Sequence, residues 1–214
     1  MLAINTAFMT TNLALKTDNK TVLRELDSSC KHSENVLKTI DEMCQEAQID
    51  ILDEKVVAVV TGPGSFTGLR IGVSIAKALG CANKNLKFIS MSSLDFMAYI
   101  VSKNNLCQGE FVCALNALSN LFFVSTYDKD GTKTQNEKMI EKSAFEEIKS
   151  PIFVLDGDLK SDSDHTISMT SKDLLEYALK LENAGLFTSE KDLLPVYLRA
   201  SQAEDNLSKK DKKV

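Results

Sequence analysis

One stretch of the sequence brings residue types that can do chemistry into close spacing: Thr61-Gly62-Pro63-Gly64-Ser65-Phe66-Thr67-Gly68-Leu69-Arg70-Ile71-Gly72. It follows a β-branched run over 56–61, the pattern of a strand covered on both faces, and precedes a helical pattern over 66–81. A strand-to-helix turn aims backbone N–H groups and the positive end of a helix dipole at one point, so the chemistry it suits is anion binding. Two specific forms of that chemistry are excluded. A P-loop needs Gly-Lys-Ser/Thr at the helix start, and the dinucleotide fingerprint needs G-x-G-x-x-G, whereas Gly62, Gly64 and Gly68 are out of step with it. Without those patterns the stretch also reads as a tight turn followed by a cap.

The remaining catalytic inventory is small. The two histidines, His32 and His165, form no H-x-x-x-H pair, which removes a two-histidine metal site. Ser65, His32 and an Asp could be written as a triad, but Gly64-Ser65-Phe66 is not G-x-S-x-G. The five cysteines, Cys30, Cys44, Cys81, Cys107 and Cys113, contain no C-x-x-C and are odd in number, which predicts free thiols in a reducing compartment. No cofactor is expected from these residues.

Composition narrows the classes further. With 214 residues, 43% hydrophobic and 26% charged, the chain is a globular protein large enough for a sizeable core. Lys and Arg number 25 against 30 Asp and Glu, a net charge of −5, which argues against nucleic-acid binding by this chain alone. No basic segment opens residues 1–15, and the longest clean apolar run, 56–60, falls far short of the roughly 20 residues of a membrane span. A soluble, cytoplasmic protein without membrane contact is expected. The charge-dense segment 201–214 reads as a disordered tail, with a weak phosphate-binding arm as its functional alternative.

The elements that position the turn follow from periodicity. Strands are predicted over 2–6, 12–16 and 20–26, a helix over 33–48, then the strand and helix around the glycine turn, a brief strand over 88–90 and a helix capped at Ser92 running to 103. After 109 come strands over 111–115 and 121–127, a turn over 128–131, a short helix capped at Ser143, a strand over 152–155 and a helix capped at Thr170. The repeated element order, with Ala3-Ile4-Asn5 echoed by Ala114-Leu115-Asn116, predicts an α/β fold made by duplication: an actin-like, sugar-kinase-like (ASKHA) fold of two ribonuclease-H-like halves. The expected division is 1–104, a reduced second half over 109–200, and the tail over 201–214. Nucleotide-using members of this fold carry an acidic residue and glycines on the first hairpin; here it reads Asn5-Thr6-Ala7.

Two helices look over-supplied with packing surface. Gly68, Gly72, Ala76 and Gly80 recur every four residues and form a ridge without bulk, with Ile75 beside it. Mid-helix glycine costs about 1 kcal/mol against alanine, so close approach of another backbone is expected to compensate. Helix 33–48 carries Val36, Ile40, Met43 and Ala47 on one line. Both surfaces are assigned to a partner subunit, packed as a four-helix bundle across a two-fold or pseudo-two-fold axis.

The motif over 62–72, with His32, Gly62, Gly64, Ser65, Phe66, Thr67 and Arg70 among its marks, resembles the bacterial TsaB (YeaZ) family. Leu2-Ala3-Ile4-Asn5-Thr6, His32-Ser33-Glu34, Ser92-Ser93-Leu94 and Pro195-Val196-Tyr197-Leu198-Arg199 carry the same resemblance, strongest over 1–98. It implies the actin-like fold and a non-catalytic part in making threonylcarbamoyladenosine next to the anticodon of tRNA. It further implies pairing with a TsaD-type paralogue, recruitment of a TsaE-type ATPase, a homodimer in isolation, and contact with tRNA only through the complex. Asn5, Asn116 and Leu118 stand where the family usually has Asp, and the Asp and Arg of Asp-Ala-Arg. The alternative is an actin-like-fold enzyme, a small-molecule kinase or a hydrolase or peptidase.

Overall fold

The computed structural model describes residues 1–27, 32–158 and 165–197, with the backbone alone for 32–34. The predicted tail lies outside the described residues. The first sheet contains β1 (Leu2–Asn5), β2 (Thr11–Lys16), β3 (Thr21–Leu26), β4 (Val56–Gly62) and β5 (Lys87–Ser92), in the order β3-β2-β1-β4-β5. The second contains β6 (Phe111–Asn116), β7 (Leu121–Tyr127), β8 (Lys133–Glu141), β9 (Ile152–Leu155) and β10 (His165–Ile167), in the order β8-β7-β6-β9-β10. In each sheet the first three strands form an antiparallel meander and the last two add in parallel. Identical order and sense in both halves make this the actin-like fold that the repeated elements predict.

The pleat explains the uninterrupted apolar run in β4. Val56, Ala58 and Val60 face a core between the two sheets, and Val57 and Val59 face a second core beneath the outer helices. Those helices are α1 (His32–Ala47) and α2 (Phe66–Ala82); between the sheets lie α3 (Ser93–Lys103) and α5 (Ser171–Asn183). Each half lends one helix to the other: α5 packs on β1, β2 and β3, and α3 packs on β6, β7 and β10.

The structure adds β8 and β10, which the sequence reading lacks, and moves one cap. β8 is absent from the sequence reading because it is an edge strand whose residues are mostly exposed, so no apolar alternation marks it. Ser143 does not cap α4 (Lys142–Glu146), whose N-cap is Glu141 with no side-chain cap bond. The two halves also differ in their crossovers: α2 fills the link from β4 to β5, whereas residues 156–164 between β9 and β10 are fewer than the dozen or so that a crossover helix takes. Among the described residues the outer face of the second sheet is covered only by the short α4, over a cluster of Val112, Ala114, Phe122, Val124 and Val154.

The small-residue ridge is a contact within the chain, not a partner surface. A Cβ on Gly68 would fall well inside contact with the Thr6 carbonyl oxygen, one on Gly72 would lie 2.7 Å from Thr6 Oγ1, and one on Gly80 would strike the Phe88 ring. Ala76 and Ile75 are buried, as are Val36, Ile40 and Met43 of α1, and Ala47 packs at the edge of the same cluster. The physical reason is that a strand row of Leu2, Ile4, Val57 and Val59 must be roofed, and two helices sharing one sheet face need their widest apolar arcs for it.

After α5 the chain returns to the first half. Thr188 N–H donates to the Phe88 carbonyl at 2.8 Å along the free edge of β5, Leu193 is fully buried in the core beneath α1 and α2, and Val196 N–H donates to the Thr61 carbonyl at 2.8 Å. Residues 188–197, placed with the second half on sequence, thus pack as a strap on the first sheet.

Gly68→Ala is expected to cost about 3 kcal/mol or more, because the obstacle is backbone rather than a yielding side chain. Gly109→Ala, which meets nothing within 4 Å, should change stability by less than about 0.5 kcal/mol. Urea unfolding of the two variants measures the contrast; equal stabilities would place the ridge away from the β1–β2 hairpin.

Candidate functional site

The glycine turn and the β1–β2 hairpin, residues 6–10, meet at the point where the sequence allows an anion. Ser65 is the N-cap of α2, its Oγ accepting from Gly68 N–H at 3.3 Å. Ser65 N–H donates to the Ala7 carbonyl at 2.8 Å, and Thr6 Oγ1 donates to the Gly68 carbonyl at 2.6 Å. A Cβ on Gly64 would lie 2.8 Å from the Ala7 carbonyl oxygen, and one on Gly62, whose φ is +125°, 2.9 Å from the Val196 carbonyl oxygen. The glycines therefore let the hairpin and the strap close on the turn. The N–H groups of Ser65 and Gly68, two of those an anion would have used, are already engaged by the chain's own carbonyl and hydroxyl.

The ends of the first hairpin are held by uncharged groups. Asn5 and Asn12, both buried, pair through Nδ2–H to Oδ1 at 3.1 Å; Asn5 Oδ1 accepts from Ala7 N–H at 3.1 Å, and Asn12 Nδ2 donates to the Met169 carbonyl at 3.2 Å. In the second half Asn116 N–H donates to Asp158 at 2.8 Å and Asn116 Oδ1 accepts from Leu118 N–H at 2.8 Å. The β6–β7 turn carries Leu118, Ser119 and Asn120 at φ of 63°, 55° and 60°, three consecutive left-handed residues without a glycine. Left-handed backbone costs roughly 1–2 kcal/mol for a residue such as Leu. Burial pushes the Asp158 carboxyl above its ordinary value of 3.8, partly offset by the Asn116 N–H.

The other candidate residues are scattered. His165 stacks on Phe153 at 5.0 Å on β10, and the His32 side chain lies outside the described residues. Among the described residues no group of three His, Cys, Asp or Glu could hold a metal, and no helix is long and apolar enough to cross a membrane. Cys44, Cys81, Cys107 and Cys113 are free; burial, then the charge of Glu54, pushes the Cys44 thiol up to about 11, and burial raises Cys113 as well. Cys30 lies outside the described residues. Thr67 is exposed on the first turn of α2.

Two clusters were not found from sequence. Ser92 caps α3 through Leu94 N–H and Asp95 N–H and also bonds Glu137 of β8; Lys133 bridges Asp95 at 2.9 Å and Glu137 at 3.0 Å, and buried Tyr127 donates to Asp95 at 2.7 Å. This polar pin joins the halves and was invisible because β8 was. The second cluster is Arg70, whose guanidinium carbon lies 3.8 Å over the Phe66 ring and whose Nε donates to Tyr197 Oη at 2.9 Å. Two surface grooves lie elsewhere: about 280 Å³ lined by Val112, Val124, Lys138 and Ile148 among others, and about 520 Å³ between Thr17–Lys20 and Glu46–Ile49.

Comparison with known proteins adds the following. The family described as TsaD, tRNA N6-adenosine threonylcarbamoyltransferase, matches residues 26–153. A tRNA threonylcarbamoyladenosine biosynthesis protein TsaB of Buchnera aphidicola (subsp. Schizaphis graminum) is 33% identical over 100 residues, 46% of either chain. The protein of that name from Escherichia coli K12 is 28% identical over 130 residues, 61% of this chain and 55% of its own. The chain spans about half the length of the curated relatives it matches. The solved structure of YeaZ from Pseudomonas aeruginosa superposes with a TM-score of 0.74 at 19% identity, over 92% of this chain and 98% of that one.

Because burial raises the Asp158 carboxyl, the folded state holds its proton at pH values where the unfolded chain has released it, so this group's contribution falls as pH rises from about 4 through its folded value. Asp158→Asn keeps an acceptor for Asn116 N–H without the charge. The variant should therefore gain stability over wild type as pH rises from 3.5 to about 7, in urea titrations read by circular dichroism. Parallel pH profiles for the two proteins would show that the carboxylate is not penalised.

Proposed function

The chain belongs to the TsaB (YeaZ) family, and from that premise we propose that it is a non-catalytic subunit for making threonylcarbamoyladenosine on the adenosine next to the anticodon of tRNA. The observation that carries the reading is the occupied turn. Ser65 N–H is bonded to the Ala7 carbonyl, and Asn5 and Asn116 stand uncharged where an actin-like enzyme would want acids for metal and phosphate. A chain built this way keeps the fold of a transferase and spends its phosphate hairpin on its own packing. Its work is then to bind: a TsaD-type paralogue that performs the transfer, and through the pair a TsaE-type ATPase. The net charge of −5 supports contact with tRNA through the complex alone.

The burial of the Gly68–Gly80 ridge moves the proposed partner surface to the outward strip of α2. Ile71, Ser74 and Ala78 are at least partly exposed there, and Leu37 is an exposed large side chain on α1. Small residues on an exposed strip permit close helix-on-helix approach. The same strip serves a homodimer of the isolated chain, with the paralogue as competitor.

Three outcomes are expected. tRNA from a host strain lacking this protein should lose threonylcarbamoyladenosine by mass spectrometry of nucleosides and regain it on complementation. Purified chain alone should neither hydrolyse ATP nor modify tRNA; turnover that Ser65→Ala abolishes would overturn the non-catalytic reading. Ala78→Arg should weaken assembly, read by sizing chromatography, with an unchanged melting temperature, whereas Ala76→Arg should fail to fold stably.

A further inference from the structure

The structure holds one cation in an unusual setting. Arg70 sits on the first turns of α2, its guanidinium stacked on Phe66 at 3.8 Å and facing Tyr197 at 5.7 Å, with the two rings 4.6 Å apart. Nε is fixed by the bond to Tyr197 Oη. Tyr197 in turn is fixed by the strap, through Val196 N–H on the Thr61 carbonyl and Leu193 in the core. Among the described residues no carboxylate pairs with Arg70, in contrast to Arg24, which is spent on Glu46. The side chain is exposed, and the rings and the Nε bond have already removed most of its rotamer freedom.

The surroundings select the kind of partner. Phe66, Leu194, Val196 and Tyr197 are all exposed, each beyond a third of its surface. Arg, Tyr and Phe in an apolar setting are the composition of a protein–protein hot spot, where a desolvated fork meets a carboxylate. A nucleic-acid surface needs several cations in a row to neutralise phosphates, and a single Arg set among apolar side chains on an acidic protein does not supply them.

We propose that Arg70, held by Phe66 and the strap residue Tyr197, is a preorganised anchor for a carboxylate on the partner protein, with Leu194 and Val196 sealing the contact from water. The proposal rests on the family reading for the partner's identity, the TsaD-type paralogue. It extends the interface from the α2 strip onto the strap and gives the return of residues 188–197 to the first half a role beyond covering an edge.

The test is titration of full-length chain with the purified paralogue of the same host at two salt concentrations, with melting of each variant alongside. Arg70→Gln should weaken binding about tenfold or more and flatten its salt dependence, with melting unchanged. Tyr197→Phe, which keeps the ring and removes the acceptor for Nε, should weaken binding by several-fold less than that. Wild-type affinity in Arg70→Gln overturns the anchor and leaves the family reading standing. If Arg70→Gln melts lower, Tyr197→Phe decides, and wild-type affinity there overturns the anchor. No binding of the paralogue by the wild type overturns both, and a loss confined to tRNA binding would assign the cation to RNA.

Discussion

The fit of the β1–β2 hairpin onto the turn between β4 and α2 is the constraint on which the first half depends. The Ala7 carbonyl receives Ser65 N–H, Thr6 Oγ1 caps the Gly68 carbonyl, and the Thr6 backbone lies where a side chain at position 68 would be. Closing this junction pulls α2 down onto Ile4 and Val59, and that depth sets the spacing at which α1 can share the same sheet face. It also puts Phe66 and Arg70 at the rim, within reach of the returning strap. The same contact decides chemistry. Backbone N–H groups that a phosphate could have used are satisfied internally, and a buried donor already paired has little to gain from a ligand.

Much of this arrangement was legible. The caps at Ser92 and Thr170 and the duplication followed from periodicity and turn chemistry, because local sequence and tertiary fold agree there. The ridge of Gly68, Gly72, Ala76 and Gly80 was read as a place where another backbone comes close; Gly68 meets the Thr6 backbone of this same chain, and Gly72 and Gly80 meet the Thr6 and Phe88 side chains. Periodicity reports which face of a helix needs a neighbour, not whose neighbour it is. The decision turns on how much apolar strand surface needs a roof, and that is a sum over elements far apart in sequence. β8 escaped for a related reason: an edge strand exposed along most of its length carries charges where a central strand carries valines.

The two halves share one topology and spend it differently. In the first, α1 and α2 roof the sheet with 16 and 17 residues, and in the second α4 does so with 5. The second half compensates at its other face, where Phe111, Phe153, Tyr127 and the lent helix α3 build a dense aromatic core, and Lys133 clamps the halves through Asp95 and Glu137. Stability of the second sheet thus comes from the contact between the halves, and the chain has reason to behave as one cooperative body rather than two.

That coupling bears on the strap. It begins where α5 ends, in the element that the second half lends to the first, and it finishes on Arg70 at the mouth of the glycine turn. The strap therefore ties the chain beyond α5 to the β5 edge at Thr188 and to the Arg70 guanidinium at Tyr197. Loss of the Tyr197 bond would free Nε and return the side chain to solvent rotamers, at a cost to any partner that relies on it of roughly 0.5–1.5 kcal/mol of ordering. One segment thus closes the β5 edge and frames the exposed cation, and Leu193, its only fully buried large side chain, anchors it in the core beneath α1 and α2.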